Sequence, residues 1–162
     1  MTDRSPSGFD LTPPDEQARA ALETNLSQEE RRVLLHHGTE APFCGGLLNE
    51  KGRGVYCCRL CGLPLFRSTE KFGSGTGWPS FFAPYDQAHL LTVRDTSHGM
   101  VRTELRCARC DSHQGHVFPD GPRPTGLRYC INSVSLCFVP ENEPFPDPLQ
   151  RGEADIEAAT GV

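Results

Sequence analysis

Two Cys-x-x-Cys pairs constrain this chain more than any other feature of its sequence. They are Cys58-x-x-Cys61 and Cys107-x-x-Cys110, and 45 residues separate them. Each pair can present two thiolates from one tight turn, and four thiolates suit a tetrahedral zinc ion. Because the separation exceeds that of a compact zinc ribbon, the fold must bring two distant segments together. We predict a closed, structural zinc site on these four cysteines.

Two alternatives to this assignment stay open at the level of sequence. The four residues could be buried or redox-active thiols without a metal, or Cys57 could replace Cys58 as a ligand. The equal spacing of the two pairs favours Cys58. Adjacent residues of a strand face opposite ways, so Cys57 is predicted to be a packed thiol. Three arginines close by in sequence would offset the negative charge of a zinc tetrathiolate: Arg59, Arg106 and Arg109.

Turn-forming residues and a two-residue periodicity indicate a β fold. The chain has 16 glycines and 14 prolines among 162 residues, well above average usage, which excludes a helical bundle. Between Val101 and Cys107, charged residues alternate with a predicted inner face that also holds Thr103 and Leu105. This pattern is typical of a half-buried antiparallel strand. Further strands are predicted at 54–58, 89–94, 116–118, 127–132 and 134–138.

Two helices are predicted before this β region. The first begins at Thr12-Pro13-Pro14, with proline in its first turn, and runs to about Thr24. The second begins with a capping box between Ser27 and Glu30 and runs to about His37. Gly38 is predicted to take the left-handed position that ends it.

Charge is concentrated at the carboxyl end of the chain. The net charge is −5, and residues 141–162 carry all of it, so residues 1–140 are formally neutral. Nucleic-acid binding therefore lacks its usual electrostatic basis, and no apolar run is long enough to span a membrane. The acidic segment is either an interaction segment or, as we expect, a solvated and disordered tail. The amino terminus is polar and shows no signal-like apolar core, so we expect a cytoplasmic monomer with neither nucleic-acid nor membrane partners.

Four cysteines lie outside the two pairs: Cys44, Cys57, Cys130 and Cys137. If the chain around Cys130 is extended, Arg128 and Asn132 project from the same face as the thiol. An arginine beside a thiol favours the thiolate, which is the nucleophile. His113-x-x-His116 lies just upstream, and a cysteine with a histidine can form an activated nucleophile and its acid–base partner. Cys130 could instead be a small buried residue, and the histidines a second metal site or satisfied loop residues.

Three motifs resemble one enzyme family. They are Gly77-Trp78-Pro79-Ser80-Phe81, the stretch from His113 to Pro122, and the stretch from Pro124 to Ser133. Together with the cysteine pairs, they resemble the B-type peptide methionine-R-sulfoxide reductases over roughly residues 24–139. The resemblance implies two antiparallel sheets packed as an open barrel, with small N-terminal helices. It also implies reduction of the R epimer of methionine sulfoxide, with thioredoxin as the reductant. The chain then divides into an N-terminal extension (1–23), a reductase domain (24–140) and an acidic tail (141–162).

The resemblance also implies roles for individual residues. Cys130 matches the cysteine that attacks the sulfoxide sulfur, and it becomes a sulfenic acid while methionine is released. His113 and His116 match the pair near the sulfoxide oxygen, with Asn132 beside them. Trp78 matches the aromatic wall that receives the substrate methyl group, and Phe118 is expected to line the same pocket.

One position departs from the family pattern. Many members have a cysteine just before the Gly-Trp-Pro motif that resolves the sulfenic acid as a disulfide, but this chain has Thr76 there. Cys44 is our candidate for the resolving thiol, because Gly45 and Gly46 follow it and allow movement. Cys57 and Cys137 are weaker candidates, and direct attack by the reductant is a further alternative. A reading of another class also stays open, in which the chain is a non-catalytic zinc-stapled β module that binds a protein or ligand.

Overall fold

The computed structural model describes residues 4–154, so residues 1–3 and 155–162 lie outside it. Two α-helices precede nine β-strands along the described chain. The helices are α1 (Glu16–Glu23) and α2 (Gln28–Leu34). The strands are β1 (Gly54–Cys58), β2 (Pro64–Arg67), β3 (Lys71–Phe72), β4 (Ser80–Phe81), β5 (Leu90–Asp95), β6 (Arg102–Cys107), β7 (His113–Phe118), β8 (Arg128–Ile131) and β9 (Leu136–Pro140).

The strands form two antiparallel sheets. The smaller sheet has the order β2-β1-β9, and the larger has the order β3-β4-β8-β7-β6-β5. Within residues 4–154 neither sheet closes on itself into a barrel. The mainly β fold with two antiparallel sheets and short N-terminal helices is therefore confirmed. None of the helices in the described part of the chain is long and apolar enough to cross a membrane.

One cluster of buried side chains joins the two sheets. Tyr56 of β1 contacts Phe81 of β4, with ring centroids 5.1 Å apart. Phe66 of β2 stacks on Phe81 at 4.4 Å and meets Tyr129 of β8 edge-on at 5.8 Å. These aromatic contacts stabilise the packing of one sheet on the other beyond the burial of their area.

The helices differ from the sequence prediction at their ends. The capping box of α2 is present, since the Ser27 hydroxyl accepts from the Glu30 N–H and the Glu30 carboxylate accepts from the Ser27 N–H. However, α1 begins after Asp15, whose carboxylate caps it, and not at Thr12. Helix α2 ends at Leu34, and His37, not Gly38, adopts the left-handed conformation with φ of 58°.

Strand β6 faces the core differently from the predicted alternation. Val101 is 68% exposed and Thr103 is also exposed, whereas Glu104 is buried. The pairing register between β6 and β7 shifts between Leu105 and Arg106, so the simple two-residue period does not hold along the whole strand. Strands β2, β3 and β4 were not predicted, because runs of two to four residues carry too little periodicity.

Both terminal segments pack on the domain where the structure describes them. Phe9 is fully buried, and its ring meets those of Tyr85 and Phe145 edge-on. Phe145 and Glu153 are each only 2% exposed. The expectation of a disordered tail over 141–162 therefore differs from the packed chain seen up to residue 154, and its remainder, 155–162, lies outside the described residues. A low-hydrophobicity segment can be ordered by a few anchoring side chains, which charge counting does not detect.

Candidate active site and metal centre

Strand register places Cys130 beside two neighbouring strands of the larger sheet. On β8, Cys130 lies opposite His116 of β7 and opposite Ser80 of β4. Directly opposed residues of antiparallel strands point to the same side of the sheet, so the thiol and the imidazole share a face. Gly115 permits this close pairing, because a Cβ there would lie 2.0 Å from the carbonyl oxygen of Cys130.

The Cys130 cavity is a small pocket of about 90 Å³ on this face. Five residues singled out in the sequence share its wall: Trp78, His116, Phe118, Cys130 and Asn132. The remaining lining residues are Thr39, Arg102, Gly115 and Ile131. Two aromatic rings and a thiol with two polar side chains make a pocket suited to a small group that is apolar at one end and polar at the other.

Two residues predicted for this site do not line the Cys130 cavity. His113 is only 2% exposed and lies behind His116, with ring centroids 5.5 Å apart. The Arg128 guanidinium pairs with the Asp120 carboxylate at 2.9 Å and lies over the Phe118 ring. Arg128 therefore contacts a lining residue, and it acts on Cys130 through its charge and a hydrogen bond.

The resting thiol of Cys130 is not a low-pKa group. Burial raises the pKa of Cys130 above its ordinary value, although Arg128 and a hydrogen bond with Thr76 each lower it in part. The sequence analysis expected Arg128 to favour the thiolate. Arg128 does lower the pKa of Cys130, but burial raises it by more. Alkylation at neutral pH therefore cannot separate an enzyme from a binding module here, since a buried catalytic thiol would also react slowly.

Carboxylates hold both histidines in place. The Nε2 atom of His116 lies 2.8 Å from Oδ2 of Asp95, and hydrogen bonds from Ser97 and from His116 lower the pKa of Asp95. The Nδ1 atom of His113 lies 2.7 Å from Oε2 of Glu104. Burial lowers the pKa of His113, so its ring is neutral near pH 7.

Glu40 holds two residues that line the Cys130 cavity, and sequence reasoning missed it. Its carbonyl oxygen accepts from Nε1 of Trp78 at 3.0 Å, and its N–H donates to Oδ1 of Asn132 at 3.0 Å. Its carboxylate accepts from the Val134 N–H, also at 3.0 Å. One buried glutamate thus contacts both the indole of Trp78 and the amide of Asn132, two residues that line the cavity.

The segment that carries Cys44 lies against the Gly-Trp-Pro motif. The Phe43 N–H donates to the Gly77 carbonyl at 2.7 Å, and Gly77 has φ of 93° with the Phe43 ring packed where a Cβ would be. Cys44 itself is exposed. By contrast, Cys57 is buried in β1. It lies opposite Cys137 of β9 in the strand register, and both are free cysteines.

The four-cysteine cluster comprises the residues predicted from their spacing. Cys58, Cys61, Cys107 and Cys110 are all buried, and their sulfurs lie within 4.8 Å of one another. The Cys58–Cys110 and Cys61–Cys107 sulfur separations are 3.6 and 3.5 Å. A tetrahedral zinc ion with its usual bond lengths needs sulfurs about 3.8 Å apart. The residues therefore fit a closed four-thiolate metal site, and Cys57 is not a member.

Hydrogen-bond donors surround the cluster. Nε of Arg109 donates to the sulfur of Cys61 at 3.4 Å. Nε2 of Gln114 donates to the sulfur of Cys58 at 3.5 Å. Burial raises the pKa of the Cys107 thiol well above its ordinary value, so the cluster needs a cation if all four are to be thiolates. Of the three arginines expected to offset the charge, Arg109 makes the direct contact.

Comparison with known proteins gives the family. The model of the SelR domain matches residues 26–140. A curated protein of Caulobacter vibrioides named peptide methionine sulfoxide reductase MsrB is 71% identical over 156 residues, which cover 94% of this chain and 98% of the relative. Proteins of the same name from Xylella fastidiosa and Pseudomonas putida are 63% identical over 145 residues and 58% identical over 117 residues, covering 90% and 72% of this chain and 94% and 88% of the relatives. This chain belongs to the MsrB family.

The SelR-domain match contains the whole Cys130 cavity and the four-cysteine cluster, since both lie within residues 26–140. It does not contain Asp10 and Glu153, which hold Arg109 against the cluster from outside that span. Membership of this family makes the chain an oxidoreductase, and the non-catalytic module is set aside.

Sequence reasoning also missed three residues that contact the histidines: His37, Asp95 and Glu104. The predicted alternation places Glu104 on the solvent face of its strand. In the structure Glu104 is buried, so its carboxylate needs the partners that it finds in His37 and His113. No local pattern marks Asp95 or His37, since both reach the site across other elements.

Proposed function

We propose that this chain reduces the R epimer of methionine sulfoxide in proteins and peptides, with Cys130 as the nucleophile. The observation that carries the proposal is the cavity in which the thiol shares one wall with Trp78, Phe118, His116 and Asn132. The relatives named peptide methionine sulfoxide reductase support it, because they match the segments that build this cavity.

The rings of Trp78 and Phe118 suit the methyl end of the substrate. Trp78 is anchored by its hydrogen bond to Glu40, and Phe118 is covered by Arg128 on its outer face. Asn132 is held twice, by the Glu40 N–H and by the Gln114 carbonyl at 3.2 Å. A pocket wall with fixed side chains can favour one epimer over the other, because the methyl group and the oxygen exchange places between epimers.

In the reductive step, the Cys130 sulfur attacks the sulfoxide sulfur and the sulfur–oxygen bond of the substrate breaks. The oxygen and the thiol proton finish on Cys130 as a sulfenic acid, and methionine leaves as the thioether. His116 delivers a proton to the oxygen during this exchange, which is general-acid catalysis. Asp95 orients the imidazole by its hydrogen bond to Nε2. His113 supports His116 from behind, through their ring contact.

We propose that Cys44 resolves the sulfenic acid. Its thiolate attacks the Cys130 sulfur, water leaves, and a Cys44–Cys130 disulfide forms, which a thioredoxin dithiol then reduces. The hydrogen bond of Phe43 to Gly77 supports this, because it holds the residue next to Cys44 against the motif that adjoins Thr76. A disulfide requires the two Cα atoms within about 7 Å, so the exposed loop must deliver Cys44 to the cavity.

Zinc is the metal that we propose for the four-cysteine cluster. A site closed by four protein thiolates leaves no coordination position for substrate, so the ion would stabilise the fold and take no part in the reduction. Metal analysis of the active protein should find one zinc per chain, and active protein without zinc would contradict the assignment.

The reductase proposal is tested with the two separated epimers of a methionine sulfoxide peptide. Wild-type protein should consume the R epimer with thioredoxin, thioredoxin reductase and NADPH, and should leave the S epimer. Cys130→Ser should abolish this turnover while the zinc content and thermal unfolding stay unchanged, since serine is a far weaker nucleophile toward sulfur. Equal use of both epimers, or substantial activity of Cys130→Ser, would contradict the proposal.

The resolving role is tested by peptide mapping after one equivalent of sulfoxide. Cys44→Ser should release one methionine per enzyme and then stall with thioredoxin. Cys137→Ser is the matched control, because Cys137 is also an exposed thiol outside the cluster, and it should recycle normally. Wild-type recycling by Cys44→Ser, or a mapped bridge from Cys130 to Cys57 or Cys137, would show that Cys44 does not resolve.

A further inference from the structure

Three side chains beside the Cys130 cavity converge on one point. Nδ1 of His37 and Nδ1 of His113 each lie 2.7 Å from the same atom, Oε2 of Glu104. One ligand atom from each of the three residues lies within 4.8 Å of the others. We call these residues the His37–Glu104–His113 cluster. None of the four predicted zinc ligands belongs to it.

The donor set of this cluster is that of a three-ligand metal site. Two imidazoles and one carboxylate hold borderline divalent ions such as zinc and leave a further position open. The back of the cluster is rigid, because the side chains of His113 and Glu104 are 2% and 7% exposed, while that of His37 is 47% exposed. An ion can therefore enter from the solvent-lined cavity that His37, Glu104 and His113 share with Asp95 and His116.

The backbone at His37 gives a second, independent observation. His37 follows α2 with φ of 58°, a left-handed conformation that is uncommon for residues other than glycine. The glycine next to it does not take this conformation, since Gly38 is absent from the positive-φ positions in the described chain. The turn thus places an imidazole, and not a glycine, over Glu104. Such departures are common where a side chain is held for a function.

The charges around Glu104 leave its Oε2 atom for this role. The Arg106 guanidinium donates to the other oxygen, Oε1, at 3.0 Å. The carboxylate is ionised, because the hydrogen bonds from Arg106, His37 and His113 outweigh its burial and lower the pKa of Glu104 to about 2. The nearby positive charge of Arg106 limits the affinity for a second cation, which favours reversible binding.

We infer that the His37–Glu104–His113 cluster is a binding site for a divalent transition-metal ion, separate from the four-cysteine cluster. The ion would bind to the Nδ1 atom of each imidazole and to Oε2, and each ring would then carry its N–H proton on Nε2. It would fix His113 and shift the neighbouring His116 ring, so it would inhibit the reductase reversibly. This inhibitory effect rests on the proposed function, whereas the binding itself does not.

The binding is tested with Co²⁺ added to the protein whose four-cysteine cluster is already filled with zinc. Equilibrium dialysis should find one further equivalent of Co²⁺ bound per chain. The absorption spectrum of the bound Co²⁺ should show the d–d bands of nitrogen and oxygen ligation and no thiolate charge-transfer band. His37→Asn should weaken this binding at least tenfold, because asparagine tolerates the left-handed conformation but lacks the imidazole. His36→Asn is the matched control, since His36 is the adjacent exposed histidine, and it should bind like wild type.

Equal Co²⁺ binding by His37→Asn, or thiolate bands in place of nitrogen and oxygen bands, would overturn the site. Single-turnover release of methionine, measured with and without Co²⁺, then tests the inhibition. Binding at the cluster with undiminished methionine release would overturn the inhibitory effect. A protein that releases no methionine even without Co²⁺ would contradict the proposed function. The dialysis would still decide whether the His37–Glu104–His113 cluster binds the ion.

Discussion

The four-cysteine cluster and the Cys130 cavity both depend on thiols, but they are built in different ways. The cluster takes its ligands from two turns, and all four sulfurs are buried among fixed donors. The cavity takes its lining residues from the loop after α2, the Gly-Trp-Pro motif and strands β6, β7 and β8, and Cys130 is only partly buried. The difference teaches that a site closed by buried ligands suits stabilisation of the fold. An open cavity assembled by strand register suits binding of a substrate and reaction with it.

The first prediction tests the cluster as a stability element. Cys61→Ser should lose the metal and about 4 kcal/mol or more of unfolding free energy, because metal binding is coupled to folding. Metal content and denaturant unfolding measure the two effects. Cys44→Ser is the control and should change neither. A Cys61→Ser protein with full metal content and wild-type stability would remove the distinction between the two regions.

The second prediction concerns the buried ion pair beside the cluster. Arg109 donates to both oxygens of Glu153, at 2.7 and 2.9 Å. Arg109→Met leaves this carboxylate buried without its partner and should cost about 3 kcal/mol of unfolding free energy. Methionine release per folded molecule should stay unchanged, since Arg109 does not line the Cys130 cavity.

Arg53→Met is the control for that measurement. Arg53 is 78% exposed and lies 3.4 Å from Glu141, and exposed pairs contribute less than about 1 kcal/mol. If Arg109→Met also lowered methionine release per folded molecule, the surroundings of the four-cysteine cluster would affect the reaction. The distinction between a stabilising and a reactive region would then fail.

The third prediction reverses the contrast at the Cys130 cavity. His116→Ala should slow single-turnover methionine release about 100-fold, the order expected on removing a general acid. Unfolding free energy should fall by only about 1 to 2 kcal/mol, because the side chain is 11% exposed and Asp95 loses one hydrogen bond. His98→Ala is the control, since His98 lines the adjoining cavity without contacting Cys130. Loss of stability without loss of rate would assign His116 a structural role.

The fourth and smallest effect is the pH dependence of Cys130 itself. Burial raises the pKa of this thiol above its ordinary value, so its thiolate fraction at pH 7 is below that of free cysteine. Alkylation of Cys130 by iodoacetamide should therefore rise about tenfold per pH unit from pH 7 to 9. Quantitative peptide mapping, with free cysteine as the reference, measures this. A rate that is already at its plateau at pH 7 would show a low-pKa thiol.

The sequence by itself determined the local features. The two Cys-x-x-Cys pairs identified all four members of the cluster, because each pair closes its own turn and four thiolates share one chemical use. The capping box from Ser27 to Glu30 and the strand over 54–58 were also predicted correctly. In the capping box, neighbours in sequence make the decisive contact, and each Cys-x-x-Cys turn places its own two sulfurs, although the fold brings the two pairs together.

Only the tertiary structure decided how the Cys130 cavity is completed. Glu40 reaches Trp78 and Asn132 across 38 and 92 residues, and Glu104 is buried against the predicted alternation. Such contacts depend on strand register and on a shift in one pairing, and a single sequence does not encode these locally. The same holds for the resting state of Cys130, because sequence shows the arginine that lowers the pKa of the thiol but not the burial that outweighs it.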